Sequence, residues 1–246
     1  AIILSNEAAF QGFMHFVMPD VNSRTIATIK LGVFDDKGIC IEHNELALQL
    51  FPTAKKSAKK IFVLGAPTGK GYELVKDLNY EQSEAMHTAQ IIIIDEPLQY
   101  EKNKTEINLF VRKGGKVFLN EWPAGEYKIA DEIFSIQSTI MGSYYFANCT
   151  SKLLASPTLK PKDFFMWYDK SKDYIQPIVY SVIKAPHWEP IVTTGLCNFA
   201  GQDPAGYLAA GSYTYGKGTF IVNSINLSGR IKENPAGIVF LNTIFK

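Results

Sequence analysis

A glycine-rich turn and a set of acidic residues at the ends of apolar runs are the parts of this sequence whose types and spacing could do chemistry. Gly65-Ala66-Pro67-Thr68-Gly69-Lys70-Gly71 follows the run Lys60-Ile61-Phe62-Val63-Leu64 and precedes a helical-looking segment, which is where a phosphate cradle would sit. Ile91-Ile92-Ile93-Ile94-Asp95-Glu96 has the form of a magnesium-holding strand end. A phosphate loop, however, needs four residues between its glycines and a Ser or Thr after its lysine. Here three residues separate Gly65 from Gly69, and Gly71 follows Lys70. With the metal-binding hydroxyl missing, the segment reads as a βα turn, and neither a cofactor nor a metal is expected.

Asp95, Glu96, Asn120 and Glu121, with Trp122 beside them, fall at the expected carboxyl ends of neighbouring parallel strands, the side on which open α/β sheets bind ligands. Asp95, Glu96, Glu121 and Trp122 are therefore the candidate cleft. Two carboxylates about 5 to 9 Å apart could serve glycoside hydrolysis. Strand ends are also acidic because they face water and cap helices, so no catalytic residue is assigned. A nucleophile would need a sharp Gly-flanked elbow between a strand and a helix. Cys149 and Cys197 lack that setting, and the turn after residues 116–120 reads Glu121-Trp122-Pro123. Cys40, Cys149 and Cys197 are too few and too far apart for a disulfide framework or a metal knuckle and are expected to be small buried side chains. His15, His43, His87 and His187 are scattered without ligand spacing. The aromatic cluster at residues 164–168, with Trp188, is expected to fill core or an interdomain contact, with stacking on a sugar ring as the alternative.

The elements that must position these residues follow from periodicity. Residues 25–34 alternate Ala27, Ile29, Leu31 and Val33 with Thr28, Lys30 and Gly32, and Leu46, Leu48 and Leu50 alternate in the same way, the signature of half-buried strands. Asp35-Asp36-Lys37-Gly38 is a turn between them, and residues 13–18 are expected to add a strand. Residues 1–52 thus read as part of an immunoglobulin-like sandwich, which needs about seven strands in about 100 residues; the others are expected upstream of residue 1. Residues 53–60, with four lysines, form a linker. Residues 61–246 begin strand, helix, strand, helix, strand, which predicts a mostly parallel, doubly wound α/β sheet. Residues 129–134 are expected to be helical, residues 190–196, 207–212 and 219–223 to be strands, and Asn234-Pro235 to open a last helix as N-cap and first residue.

The 246 residues are 46% hydrophobic and 20% charged, with a net charge of +1. That balance fits a globular chain and lacks the basic footprint that nucleic acid selects. No apolar run approaches the roughly 18 residues of a membrane helix.

Ala27-Thr28-Ile29-Lys30-Leu31-Gly32-Val33-Phe34-Asp35-Asp36-Lys37-Gly38, followed by His43-Asn44-Glu45-Leu46-Ala47-Leu48-Gln49-Leu50-Phe51-Pro52, resembles the last strands of an immunoglobulin-like domain of family 2 type (β-galactosidase-like) glycoside hydrolases. Gly216-Lys217-Gly218-Thr219-Phe220-Ile221-Val222-Asn223-Ser224-Ile225-Asn226-Leu227, continuing to Asn234-Pro235-Ala236, resembles the close of the glutamine-amidotransferase-like (flavodoxin-like) domain that follows in some of them. The resemblance implies a non-catalytic C-terminal accessory region, with the hydrolytic barrel upstream and the parent periplasmic or secreted. The partners it implies are those upstream glycosidase domains, a carbohydrate and a second copy of the chain; nucleic acid and membrane are not expected. The alternatives are a carbohydrate-binding module, or a free-standing α/β hydrolase or amidotransferase using Asp95, Glu121 or a cysteine.

Overall fold

The computed structural model describes residues 15–53, 59–138, 148–149, 159–164, 166–198 and 201–246. The chain divides into two compact units, Ala1–Thr53 and Ala54–Lys246. In the first, β1 (Thr25–Phe34) and β2 (Cys40–Leu50) form an antiparallel ribbon. Its register places Ala27 opposite Leu48 and Ile29 opposite Leu46, so the two alternating runs share one apolar face. On the other face Lys30 lies opposite Glu45, with an ion pair of 2.6 Å. The turn is held by the Asp35 carboxylate, which accepts the Lys37 and Ile39 amides at 3.0 and 2.7 Å, and by Gly38 at φ +79°. Residues 15–18 carry no strand; the rest of the strand expected at 13–18, and residues 54–58 of the expected linker, lie outside the described residues. Among the described residues this unit contains one two-stranded sheet, β1 with β2.

In the second unit β3 (Ile61–Leu64), β4 (Ile91–Ile94), β5 (Lys116–Asn120) and β14 (Gly218–Asn223) pair in parallel. These runs are apolar at nearly every position because helices cover both faces. Helix α2 (Pro97–Arg112) buries Ile107 and Val111 with Ile92, Val117, Leu119 and Phe220. On the opposite face Gly71 of α1 (Lys70–Asp77) lies against Ile93 and Val63, and Phe245, which caps α3 (Pro235–Ile244), meets Phe118 edge-on. Pro97 opens α2 at a position that needs no N–H, and Gly114, at φ +112°, follows its end.

Beyond β14 the sheet changes character. β13 (Gly201–Tyr215) turns back on β14 through Gly216 at φ +67°. β11 (Ser181–Lys184), β7 (Glu132–Ser138) and β6 (Gly125–Ile129) continue antiparallel. β12 (Glu189–Asn198) pairs with β13, and β8 (Asn148–Cys149) with β12. The expectation of a mostly parallel, doubly wound sheet is corrected accordingly. The ten-stranded sheet is mixed and β-rich, with four parallel strands, and three α-helices are found among the described residues. The helix expected at 129–134 is instead the β6–β7 hairpin, turning at Ala130 with φ +51°. Ile129, Ile133 and Phe134 fit a helical face, but Phe134 and Ile136 both point into the core, the period of two that a strand requires.

A separate hairpin, β9 (Met166–Asp169) with β10 (Tyr174–Pro177), is fixed to the loop before α3 by a buried polar cluster. The Arg230 guanidinium donates to Asp169 from Nε at 3.1 Å and Nη2 at 2.9 Å, and from Nη1 to the Pro177 carbonyl at 2.9 Å. Asn234 precedes α3 as expected, but its side chain does not cap the helix. It accepts the Tyr168 amide at 3.1 Å and donates to the Tyr168 carbonyl at 2.9 Å, so the Asn234 side chain ties down the backbone of Tyr168.

The Ser171 hydroxyl, and then Arg230, hold the Asp169 carboxyl below its ordinary value of 3.8. A depressed carboxylate stabilises the fold above its unfolded pKa, and that contribution is lost as pH falls through the folded value. The urea midpoint of Asp169→Asn is therefore expected to lie below that of the native chain at about pH 6. The gap should close toward about pH 3; a gap independent of pH would contradict the assignment.

Candidate functional site

The carboxyl ends of β3, β4, β5 and β14 bring the glycine-rich turn, Asp95, Asn120 and Glu121 together. The turn wraps a carboxylate of its own protein. The Gly71 amide donates to Asp95 Oδ2 at 2.8 Å, and Asn120 Nδ2 donates to Oδ1 at 3.3 Å. A Cβ on Gly65, Gly69 or Gly71 would come within 2.6, 2.7 or 2.9 Å of a carboxylate oxygen of Asp95. The glycines are therefore required by the close approach of Asp95, and an internal anion stands where a phosphate would meet the start of α1.

Burial raises the Asp95 carboxyl above its ordinary range. The Gly71 amide and Asn120 oppose that rise, Glu121 adds to it, and Lys70 opposes it. Behind it, Asn120 and Asn223 stand opposite each other in the parallel register and are fully buried. Asn223 donates to Asn120 Oδ1 at 3.4 Å and to the Ile225 carbonyl at 3.0 Å, satisfying amides that burial would otherwise penalise.

Glu121 forms a second internal latch. Its backbone is left-handed, φ +49°, and its amide donates to the Asn223 carbonyl at 2.8 Å. Its carboxylate, 6% exposed, pairs with Lys70 Nζ at 2.8 Å and accepts the Leu227 and Ser228 amides at 3.0 and 3.3 Å. The lysine of the turn thus serves a side chain of the next strand but one, and Ser228 closes the circle by donating to the Lys70 carbonyl at 3.2 Å. The arrangement joins three loops, after β3, β5 and β14.

The other candidates are placed differently. Glu96 is exposed at the start of α2 and makes no side-chain cap. Trp122 is 2% exposed, with its indole N–H donated to the Ile94 carbonyl at 2.8 Å and its ring among Tyr127, Phe134 and Tyr100. It presents no surface to a ligand. Trp188 is likewise in the core at 3% exposure, while Tyr168 and Tyr174 on the β9–β10 hairpin face solvent. Cys40 is free and exposed, contrary to the buried setting expected of it; the side chains of Cys149 and Cys197 lie outside the described residues. His15, His43 and His87 are exposed, and His187 Nδ1 lies 2.8 Å from Glu132. Among the described residues no three of His, Cys, Asp and Glu are grouped to hold a metal ion, and no helix is long and apolar enough to cross a membrane.

The parts of this site that sequence reading missed are Lys70 as the partner of Glu121, and Asn223 and Ser228. Two apolar strands, Val117-Phe118-Leu119-Asn120 and Phe220-Ile221-Val222-Asn223, each ending in asparagine, are the signal that could have suggested a buried amide pair.

No family model and no curated protein matches the chain. Among solved structures, it is similar to a cold-adapted β-galactosidase from Rahnella sp. R3, with TM-score 0.43 and 13% identity over 75% of this chain and 30% of that one. It is similar to a family 42 β-galactosidase from G. stearothermophilus, with TM-score 0.41 and 14% identity over 76% of this chain and 29% of that one. A cytoplasmic protein from Salmonella typhimurium LT2 is similar at TM-score 0.42 and 10% identity, over 90% of this chain and 95% of that one. The chain spans about 30% of the length of the β-galactosidases.

Proposed function

We propose that this chain is a non-catalytic accessory region of a carbohydrate-active enzyme, serving packing, oligomerisation or the shaping of a substrate cleft beside upstream glycosidase domains. The observation that carries this reading is the internal use of Asp95 and Glu121, which leaves Glu96 as the one exposed carboxylate of the three candidates. Asp95 is bound by Gly71 and Asn120, and Glu121 by Lys70, Leu227 and Ser228. A glycosidase needs one carboxyl free to protonate the leaving oxygen and another facing the anomeric carbon or a water. An amidotransferase needs an activated nucleophile at an elbow, and Glu121-Trp122-Pro123 stands at the turn after β5. The motif resemblance at residues 27–52 and 216–236 supplies the carbohydrate context. A second reading, a carbohydrate-binding module, has in its favour the exposed ring of Tyr174, 55% accessible, with Tyr168 on the same hairpin.

The isolated chain is expected to turn over neither aryl β-glycosides nor glutamine, measured by release of aryl alcohol and of ammonia. Turnover abolished by Asp95→Asn or Glu121→Gln would overturn the proposal.

A further inference from the structure

The turn before α1, one flank of α1 and the segment that follows it enclose a groove of about 690 Å³, within the size range of small-molecule sites. Val75 and Tyr80 line it as buried apolar bodies, and Thr68, Tyr72, Lys76, Asn79 and Gln82 bring polar groups to it. Each is held by its backbone. Tyr72 and Lys76, one turn apart, share a flank of the helix. Asn79, at φ +51°, turns the chain at the end of α1, its amide donating to the Lys76 carbonyl at 3.1 Å. Gln82 is set along the outer edge of β3, because the Ile61 amide donates to the Glu81 carbonyl at 2.9 Å and the Ser83 amide to the Ile61 carbonyl at 2.8 Å. We infer that this groove binds a neutral saccharide, a sugar ring against Tyr72 and its hydroxyls bonded by Asn79, Gln82 and Thr68.

The polar groups of α1 divide by flank. Away from the groove they are spent inside the protein, Lys70 on Glu121 at 2.8 Å and Asp77 on Lys232 at 2.8 Å. On the groove side, the side chains of Thr68, Tyr72, Lys76, Asn79 and Gln82 make no hydrogen bond, ion pair or ring contact among the described residues. Tyr80 differs, since its hydroxyl donates to Asn242 Oδ1 at 2.7 Å and its ring meets Phe245 at 5.9 Å. Amides and hydroxyls both donate and accept, which matches sugar hydroxyls, themselves donors and acceptors. A half-buried aromatic ring without a ring partner offers the flat apolar surface that the C–H face of a pyranose covers. Glu73 and Lys76 stand on the groove together, so an ionic ligand would meet a like charge beside the opposite one, and neither sign is selected. The choice of a saccharide among neutral polar ligands rests on the carbohydrate context proposed above.

The test is titration of the ¹⁵N-labelled full chain with lactose, cellobiose and xylobiose in turn, each to tens of millimolar. Saturable shifts are expected with at least one of them at the amides of Tyr72, Asn79 and Gln82, with an affinity that does not change between about 0.05 and 0.5 M salt. Tyr72→Ala should weaken binding about tenfold, the worth of one aromatic contact. Gln82→Ala, on the exposed rim, should weaken it about fivefold through a lost hydrogen bond and keeps the inference testable if Tyr72→Ala does not fold. No saturable shift with any of the disaccharides, shifts centred on Tyr168 and Tyr174, an affinity that falls with salt, or wild-type affinity in both variants would overturn the inference. None of these touches the non-catalytic reading, which stands or falls on turnover of aryl β-glycosides and glutamine.

Discussion

Trp122→Ala is expected to destabilise the second unit by about 3–5 kcal/mol, the range for deleting a large buried aromatic. In a unit of this size that is a fall in melting temperature on the order of 10 °C. The indole sits 5.1 Å from the Tyr127 ring and 6.4 Å from those of Phe134 and Tyr100, so truncation leaves a cavity lined by large rings that cannot collapse into it. It also removes the donor to the Ile94 carbonyl. Trp122→Phe keeps most of the ring contacts and should cost about 1–2 kcal/mol, chiefly through that lost bond. Were Trp122 a sugar platform, its replacement would change ligand binding and leave the melting temperature nearly unchanged, so a thermal melt separates the two roles.

Gly218→Ala should cost about 3 kcal/mol, the upper end of the usual overpacking range, because the added methyl meets rigid backbone. At Gly218 a Cβ would fall on the carbonyl oxygens of Gly115 and Val111, well inside contact distance. Those oxygens close the end of α2 and the start of β5, and Gly115 O accepts the Thr219 amide. Neither can retreat without unpairing β14 from β5. Serine at the same position should cost as much, whereas Lys217→Ala, on the exposed side of the turn, should be nearly neutral. Urea unfolding of the three variants measures the contrast, and a neutral Gly218→Ala would mean that the β13–β14 turn is looser than its geometry implies.

The parallel strands were legible in the sequence because each is a short apolar run bounded by turn residues, and α2 because Ile107, Phe110 and Val111 recur at helical spacing before Gly114-Gly115. The β1–β2 alternation was legible for the same local reason. What stayed hidden depends on partners remote in the chain. Residues 129–134 satisfy a helical face and become a strand pair only because β11 supplies the neighbour for β7. The length of β13 reflects its pairing in turn with β12, β11 and β14, which no local period encodes. In the candidate site, strand ends placed Asp95 and Glu121 correctly on the carboxyl side of the sheet. Their chemistry turned on Gly71, 24 positions from Asp95, and on Leu227 and Ser228, more than 100 from Glu121. A carboxylate that accepts backbone amides is indistinguishable, residue by residue, from one that meets a substrate.

The sign of the stability change in Glu121→Ala tests the structural role of the strand-end acids most directly. Asp95 is less suitable, because relieving a carboxyl raised by burial can stabilise a protein whatever the residue does. Glu121 holds two backbone amides and the Lys70 ammonium, so its removal should destabilise the second unit by about 1–3 kcal/mol in urea unfolding, with faster exchange of the Leu227 and Ser228 amides. Active-site residues tend to be kept at the expense of stability, and replacing them commonly raises it; an unchanged or increased unfolding free energy in Glu121→Ala would contradict the account.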